Sequence, residues 1–232
     1  MNILFLSMTR REKYAGWVLG TVGLLTVLLL RMWKIPSATA LCVLTGLLFF
    51  AVLWIFRRFL EESFQIPFTG FGKILKTALL GLMAAQLFTL LMNDLLYFFF
   101  PKYFSYGDTG PQFIHPQRLL LAEAMHSNGP VTWICTVLLL PVVTEVFHRG
   151  LLFGSVKCRS RSAACLISTS LIAFLRICFL PQPLDPIYTV ICFLQYIPMG
   201  IFFTWIYTST ETILTPILAH MLLNAVSITT MR

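Results

Sequence analysis

One stretch of this chain carries chemistry in an unlikely setting. Glu145, His148 and Arg149 fall within five positions, with Thr144 just ahead, and apolar residues flank them from Trp133 to Gly154. An ionisable group at membrane depth costs roughly 2.5–3.5 kcal/mol even on lenient insertion scales. Such groups persist when they pair, line a wet cavity or work. On a helix, Glu145 and Arg149 stand at i,i+4 with the acid N-terminal, the better order for an ion pair. Thr144 and His148 form a second i,i+4 pair on a neighbouring face. A carboxylate and an imidazole held this way can move protons in a hydrolysis; the guanidinium can hold the carboxylate in place. A third pair, His220 and Asn224, repeats the i,i+4 spacing in another apolar segment. Polar faces in separate apolar segments point to one shared, inward-facing polar site.

The elements that must position these residues are membrane helices. The chain has 232 residues, 58% hydrophobic and 11% charged, whereas soluble domains carry about 25% charged residues. Apolar runs of about 20 residues recur along its length, the signature of a polytopic helical protein. The β-barrel signature, alternating segments of about 10 residues, does not occur. Seven spans are expected, at about 14–32, 38–56, 77–100, 130–155, 162–180, 187–208 and 212–229. Segment 57–76, with Pro67 and Gly70, reads as an interfacial linker. Asn93 and Asp94 read as interhelical or interfacial hydrogen-bonding groups. The segment Arg118–Ser127 reads as a short amphipathic helix with solvated Glu123 and His126, and Pro181–Pro186 as a tight turn.

Net charge is +8, but the bases sit in short loops, so they signal topology and not nucleic acid. With the N-terminus inside, Arg10, Arg11, Lys13, Arg57, Arg58, Lys73, Lys76, Lys157, Arg159 and Arg161 face inward. Arg31, Lys34, Lys102, Arg118 and Arg232 face outward: ten against five. The positive-inside rule thus favours an inside N-terminus, in what is expected to be a bacterial inner membrane. The six cysteines have no C-x-x-C spacing and read mainly as small buried hydrophobes. No cofactor is assigned. Glu145, His148, His220 and Cys178 are types that bind zinc, without a strong metal spacing.

With these faces in view, residues 130–232 resemble the CPBP family, the CAAX-protease and bacteriocin-processing (Abi) intramembrane proteases; residues 1–129 are read as preceding membrane helices and interfacial segments. The family motifs are E-E-x-x-x-R, F-x-x-x-H and H-x-x-x-N or H-x-x-x-D. His220 and Asn224 match the third. Glu145, Arg149 and Gly150 match the end of the first, with Thr144 where its first Glu stands. Phe174 begins the second, with Cys178 in place of the His. The resemblance implies an all-α fold with the family core in the C-terminal half. It also implies an endopeptidase for membrane or lipidated peptides, with His220 and Asn224 stabilising an oxyanion and Arg149 structural. The two groups that activate water in the family are both replaced.

Three readings follow. One is an active peptidase with Glu145 or His148 as base, or with Cys178 as a nucleophile assisted by a histidine. Another is a silent relative that binds membrane peptides as a chaperone, sensor or immunity factor. The third is a small transporter subunit, suggested by Arg176 and Glu145 at membrane depth. Membrane lipids and a hydrophobic or lipidated peptide, or a membrane protein segment, are the expected partners.

Overall fold

The computed structural model describes residues 8–32, 38–65, 68–107, 110–113, 116–157, 160–178 and 185–229. The chain is almost wholly helical: α1 (Arg10–Met32), α2 (Ala38–Ile55), α3 (Arg57–Phe64), α4 (Phe68–Phe99) and α5 (Pro116–Trp133) fill the first part. From Ile134 the helix continues with alternating winding. It is π-wound over Ile134–Leu139, α-helical in α6 (Leu140–Glu145), π-wound again over Val146–Phe153, and α-helical in α7 (Gly154–Val156). Then come α8 (Arg161–Cys178), α9 (Pro186–Thr210) and α10 (Leu214–Thr229). A short antiparallel hairpin, β1 (Phe104–Gly107) with β2 (Gly110–Phe113), departs from the all-α expectation.

Four helical stretches among the described residues are long and apolar enough to cross a membrane, Arg10–Leu30, Gly70–Phe99, Leu121–Val156 and Pro186–Thr210. The broken pair α2–α3 makes a fifth if its 77° bend is counted as one span. This falls short of the seven expected. The 16-residue α10 is only about 24 Å long at 1.5 Å per residue, against a hydrocarbon core of about 30 Å. The 18-residue α8 carries arginines near both ends. The protein is nonetheless an integral membrane protein by the length and apolarity of its helices. The segment 57–76, expected as an amphipathic interfacial linker, is largely helical: α3 starts directly after the bend and α4 runs through Gly70. The segment expected as an amphipathic helix lies in α5, which breaks at Asn128 (φ −156°, ψ 65°). Pro130 is tolerated there because it falls in the first turn of the rod that resumes. Glu123 and His126 are exposed. The expected turn at Pro181 lies outside the described residues up to 184.

Helix α9 is the axis, with α4, α8 and α10 packed along it. Small residues set the closest approaches. A Cβ on Gly81 would stand 2.3 Å from Ile206 Cγ1, and one on Gly200 would stand 2.5 Å from Thr169 Cγ2. Between α4 and α9, Gln195 Nε2 donates to Asn93 Oδ1 at 2.6 Å; the neighbouring Asp94 is exposed.

The bend between α2 and α3 is held from a distance. Glu12 accepts from Thr9 N and Thr9 Oγ1 at 2.7 and 2.8 Å, while Glu12 N donates to Thr9 Oγ1 at 3.2 Å. That is a capping box at the start of α1. The other oxygen of the same carboxylate accepts from Phe59 N, in the first turn of α3, at 3.2 Å. One buried acid thus caps two helices, each of whose first-turn N–H groups lacks an intrahelical partner. Beside α9, Tyr103 donates to Asp185, and Lys102 Nζ lies 3.7 Å from the same carboxylate. Asp185 also caps α9 through Ile187 N at 2.9 Å. Phe104 and Phe113, paired across the hairpin, pack beside Leu96 and Ile191.

Two outcomes are expected. Glu12→Ala strands buried N–H donors and should lower stability by about 1–3 kcal/mol; Glu12→Gln keeps an oxygen and should lose less, both read by thermal unfolding in detergent. The Tyr103 hydroxyl, and then the Ile187 N–H, hold the Asp185 carboxyl below its ordinary value. A depressed folded value stabilises above the unfolded value and is lost as pH falls through the folded one. Hydrogen exchange in 101–113 should therefore rise on acidification below the ordinary aspartate range, and Asp185→Asn should remove that dependence.

Candidate functional site

The site is built on a buried carboxylate with two polar neighbours, one from its own helix and one from α10. Glu145 ends α6 and is 1% exposed. Its Oε1 lies 2.8 Å from His220 Nδ1 on α10, and its Oε2 lies 3.4 Å from Arg149 Nε, one turn along. Thr144 Oγ1 approaches the same His220 nitrogen at 3.4 Å. A carboxylate oxygen accepts, so Nδ1 carries the proton and Nε2 presents its lone pair. That lone pair faces Arg176 Nη2 at 3.4 Å, and the Arg176 guanidinium lies 5.3 Å from the centre of the Tyr196 ring. The result is a line of groups, Arg149, Glu145, His220, Arg176, in which Glu145 Oε1 and both His220 nitrogens have polar partners, while Oε2 faces Arg149 as an ion pair without a hydrogen bond.

The pairing is what makes burial tolerable. An unpaired ion in such a medium costs several kcal/mol even after relaxation. Arg149 is also 1% exposed. It donates from Nη2 to Gly200 O at 3.0 Å and lies 5.7 Å from the centre of the Phe203 ring. Phe203 in turn packs on the His220 ring at 5.4 Å. Gly200 matters here because its lack of a side chain lets α8 close on α9 while its carbonyl receives the guanidinium. Gly150 also admits a close neighbour, and a Cβ there would stand 2.6 Å from Met8 Cε.

The helix that carries Glu145 is irregular for identifiable reasons. In the first π-wound segment Leu140 N donates to Cys135 O, an i−5 step. The next step in that register would carry an N–H from residue 141 to Thr136 O, and Pro141 has none. Asn224 Nδ2 donates to Thr136 O at 2.8 Å instead. In the second π-wound segment, Ser168 Oγ on α8 donates to His148 O at 3.1 Å. π-bulges occur often at functional sites, and in both here a carbonyl accepts a side-chain hydrogen bond from a neighbouring helix.

The residues singled out from sequence thus divide. Glu145, Arg149 and His220 come together. Asn224 sits one turn from His220, but its amide nitrogen is committed to the backbone of the first π segment. His148 does not pair with the Thr144 side chain: its Nδ1 lies 2.6 Å from Thr144 O, while Thr144 Oγ1 donates to Leu140 O at 2.8 Å. Cys178 closes α8, and its side chain lies outside the described residues. Among the described residues, no three His, Cys, Asp or Glu side chains gather around one point as a metal site would require. Of the other cysteines, Cys135 is buried and its Sγ lies 3.7 Å from Cys42 O. Sequence reasoning missed Arg176 as a member of the site; the signal was an arginine two residues past Phe174 in an apolar helix.

Fold and site together describe a membrane-embedded helical bundle with a carboxylate–imidazole pair in its core. Residues 126–226, somewhat less than half of the chain, match the family model of Type II CAAX prenyl endopeptidase Rce1-like proteins. That segment contains Glu145, Arg149, Arg176, His220 and Asn224, and the match is consistent with a CPBP family member. No curated protein and no solved structure matches the chain.

Removing Arg149 leaves a buried carboxylate short of its permanent positive partner. Arg149→Ala should cost about 3–5 kcal/mol, visible as loss of folded protein in detergent, with Glu145→Gln milder because an amide still accepts from His220. An unchanged unfolding temperature for Arg149→Ala would refute the pair's role.

Proposed function

We propose that the protein is a latent intramembrane endopeptidase of the CAAX-processing class. It acts on peptide bonds of membrane-embedded or lipidated peptides, with Glu145 and His220 as its chemical centre. The contact of His220 Nδ1 with Glu145 Oε1 at 2.8 Å carries this reading. A carboxylate that holds Nδ1–H turns Nε2 into the proton acceptor for a water whose oxygen attacks the peptide carbonyl. The Rce1-like match over residues 126–226 supports the substrate class.

Latency rests on access and on composition. Glu145 is 1% and His220 3% exposed, and Nε2 faces a guanidinium. Thr144 stands where the family has a second carboxylate, and its hydroxyl is spent on Leu140 O. A general base contributes about 10²–10⁴-fold in rate, so turnover without a free one is slow. The proposal places the protein in a bacterial cytoplasmic membrane with the N-terminus inside. It adds α8 and α10 to the longer helices as crossings, giving seven with the bent pair counted once. The excess of bases on the inner side supports that orientation.

A silent relative that binds such peptides without cutting them is the second reading. The hydrogen bond from Asn224 Nδ2 to Thr136 O favours it, because one of the two amide N–H groups is then held by the neighbouring backbone and orients the side chain toward it. Cleavage of a lipidated and membrane-peptide library by purified protein separates the two. We expect weak cleavage that disappears in Glu145→Gln and in His220→Ala, and a rise when Thr144→Glu is combined with Cys178→His. Brisk wild-type cleavage would remove the latency. Peptide cross-linking with no cleavage by any variant would leave the silent reading.

A further inference from the structure

Resting on the peptidase reading above, we infer that Arg176 is a positioning residue that covers His220 Nε2 and holds the centre closed. The two ring nitrogens of His220 are unequal. Nδ1 is fixed by Glu145 at 2.8 Å, with Thr144 Oγ1 beside it, so the ring has little freedom to turn away. Phe203 backs one ring face. The remaining polar position, Nε2, is the one from which water could be activated, and Arg176 Nη2 occupies its approach at 3.4 Å. A guanidinium is always charged and offers only donors. While it stands there, the lone pair is engaged, and an added proton on the ring would face like charge.

Arg176 also differs from Arg149 in how it is held. Arg149 is sealed in the core between Glu145 and Gly200 O. Arg176 is half-buried in the last turn of α8, with its guanidinium against the Tyr196 ring on α9. Its anchor is thus the Tyr196 side chain on α9, near a helix end and outside the sealed core. The two arginines therefore do different work: Arg149 stabilises the carboxylate, and Arg176 governs whether the imidazole is available.

Acylation of imidazole nitrogens by diethyl pyrocarbonate tests this on the purified full chain, with each histidine read by mass spectrometry. The exposed His126 serves as the reactive reference, and the buried His148 reports any general loosening. We expect His220 to react at least tenfold more slowly than His126 in the wild type. Arg176→Gln should raise the His220 rate tenfold or more with His148 unchanged, and Arg176→Lys should stay near the wild type. An unchanged His220 rate in Arg176→Gln, or an equal rise at His148, would overturn the inference. Should Arg176→Gln fail to fold, ¹⁵N spectra of histidine-labelled wild type decide it: a neutral His220 with its proton on Nδ1 and an accepting Nε2 is required, and a proton on Nε2 overturns it. Cleavage by the same variant reads the other layer. New cleavage in Arg176→Gln supports both proposals. An uncovered imidazole that still cleaves nothing keeps the cover and counts against the peptidase reading.

Discussion

A single buried negative charge organises this protein. Glu145 lies in a medium where an uncompensated ion costs several kcal/mol, so the surrounding elements must bring donors to it. Arg149 comes from the same helix, one turn on, and His220 from α10. The demands then pass outward. Arg149 needs the Gly200 carbonyl, which requires a glycine where α8 meets α9. His220 needs a partner for its second nitrogen, and Arg176 supplies it from α8. Four helices are tied together by satisfying one carboxylate. Because apolar surfaces gain little by meeting one another in lipid, such polar ties and close-packed small residues are what give membrane helices a defined arrangement.

The same ties shape the chemistry. Several of the links that stabilise the centre also occupy atoms that the proposed hydrolysis would use. The carboxylate is flanked, the threonine hydroxyl is turned to its own helix, and the Asn224 amide closes a gap in the backbone of its neighbour. Stability and reactivity therefore compete for the same lone pairs and protons, and in the described conformation stability holds most of them.

Part of this was legible in the sequence because charge in an apolar run is conspicuous. Glu145, Arg149 and His220 were identifiable from spacing alone, and the Rce1-like match falls on the segment whose motifs suggested the family. Other features left no such trace. Asn224 looked like a donor to substrate because its true acceptor, Thr136 O, exists only through a π-wound register interrupted by Pro141. Arg176 could not be assigned to the site, since nothing in the sequence fixes which face of α8 turns toward α10. Glu12 lies among Arg10, Arg11 and Lys13 in the sequence, yet it reaches a backbone amide 47 residues away. The stretch after Arg57, read as a linker on Pro67 and Gly70, carries the start of a long helix, and α4 runs through Gly70. Such long-range and backbone-register effects are set by tertiary packing, which local spacing does not encode.

The π-wound segment over Ile134–Leu139 also acts as an azimuthal setting. An α-helix advances about 100° per residue, and a π-wound turn absorbs one residue more than an α-turn, so the winding of this segment sets the direction in which every later side chain points. Restoring α-winding there with every residue kept would rotate Glu145 by roughly that angle relative to Asn128 and the helix before it. The carboxylate would then leave the sector occupied by α10, although no residue in the centre had changed. The orientation of the acid is thus encoded several residues upstream, in the winding of a backbone segment and not in any side chain that touches it.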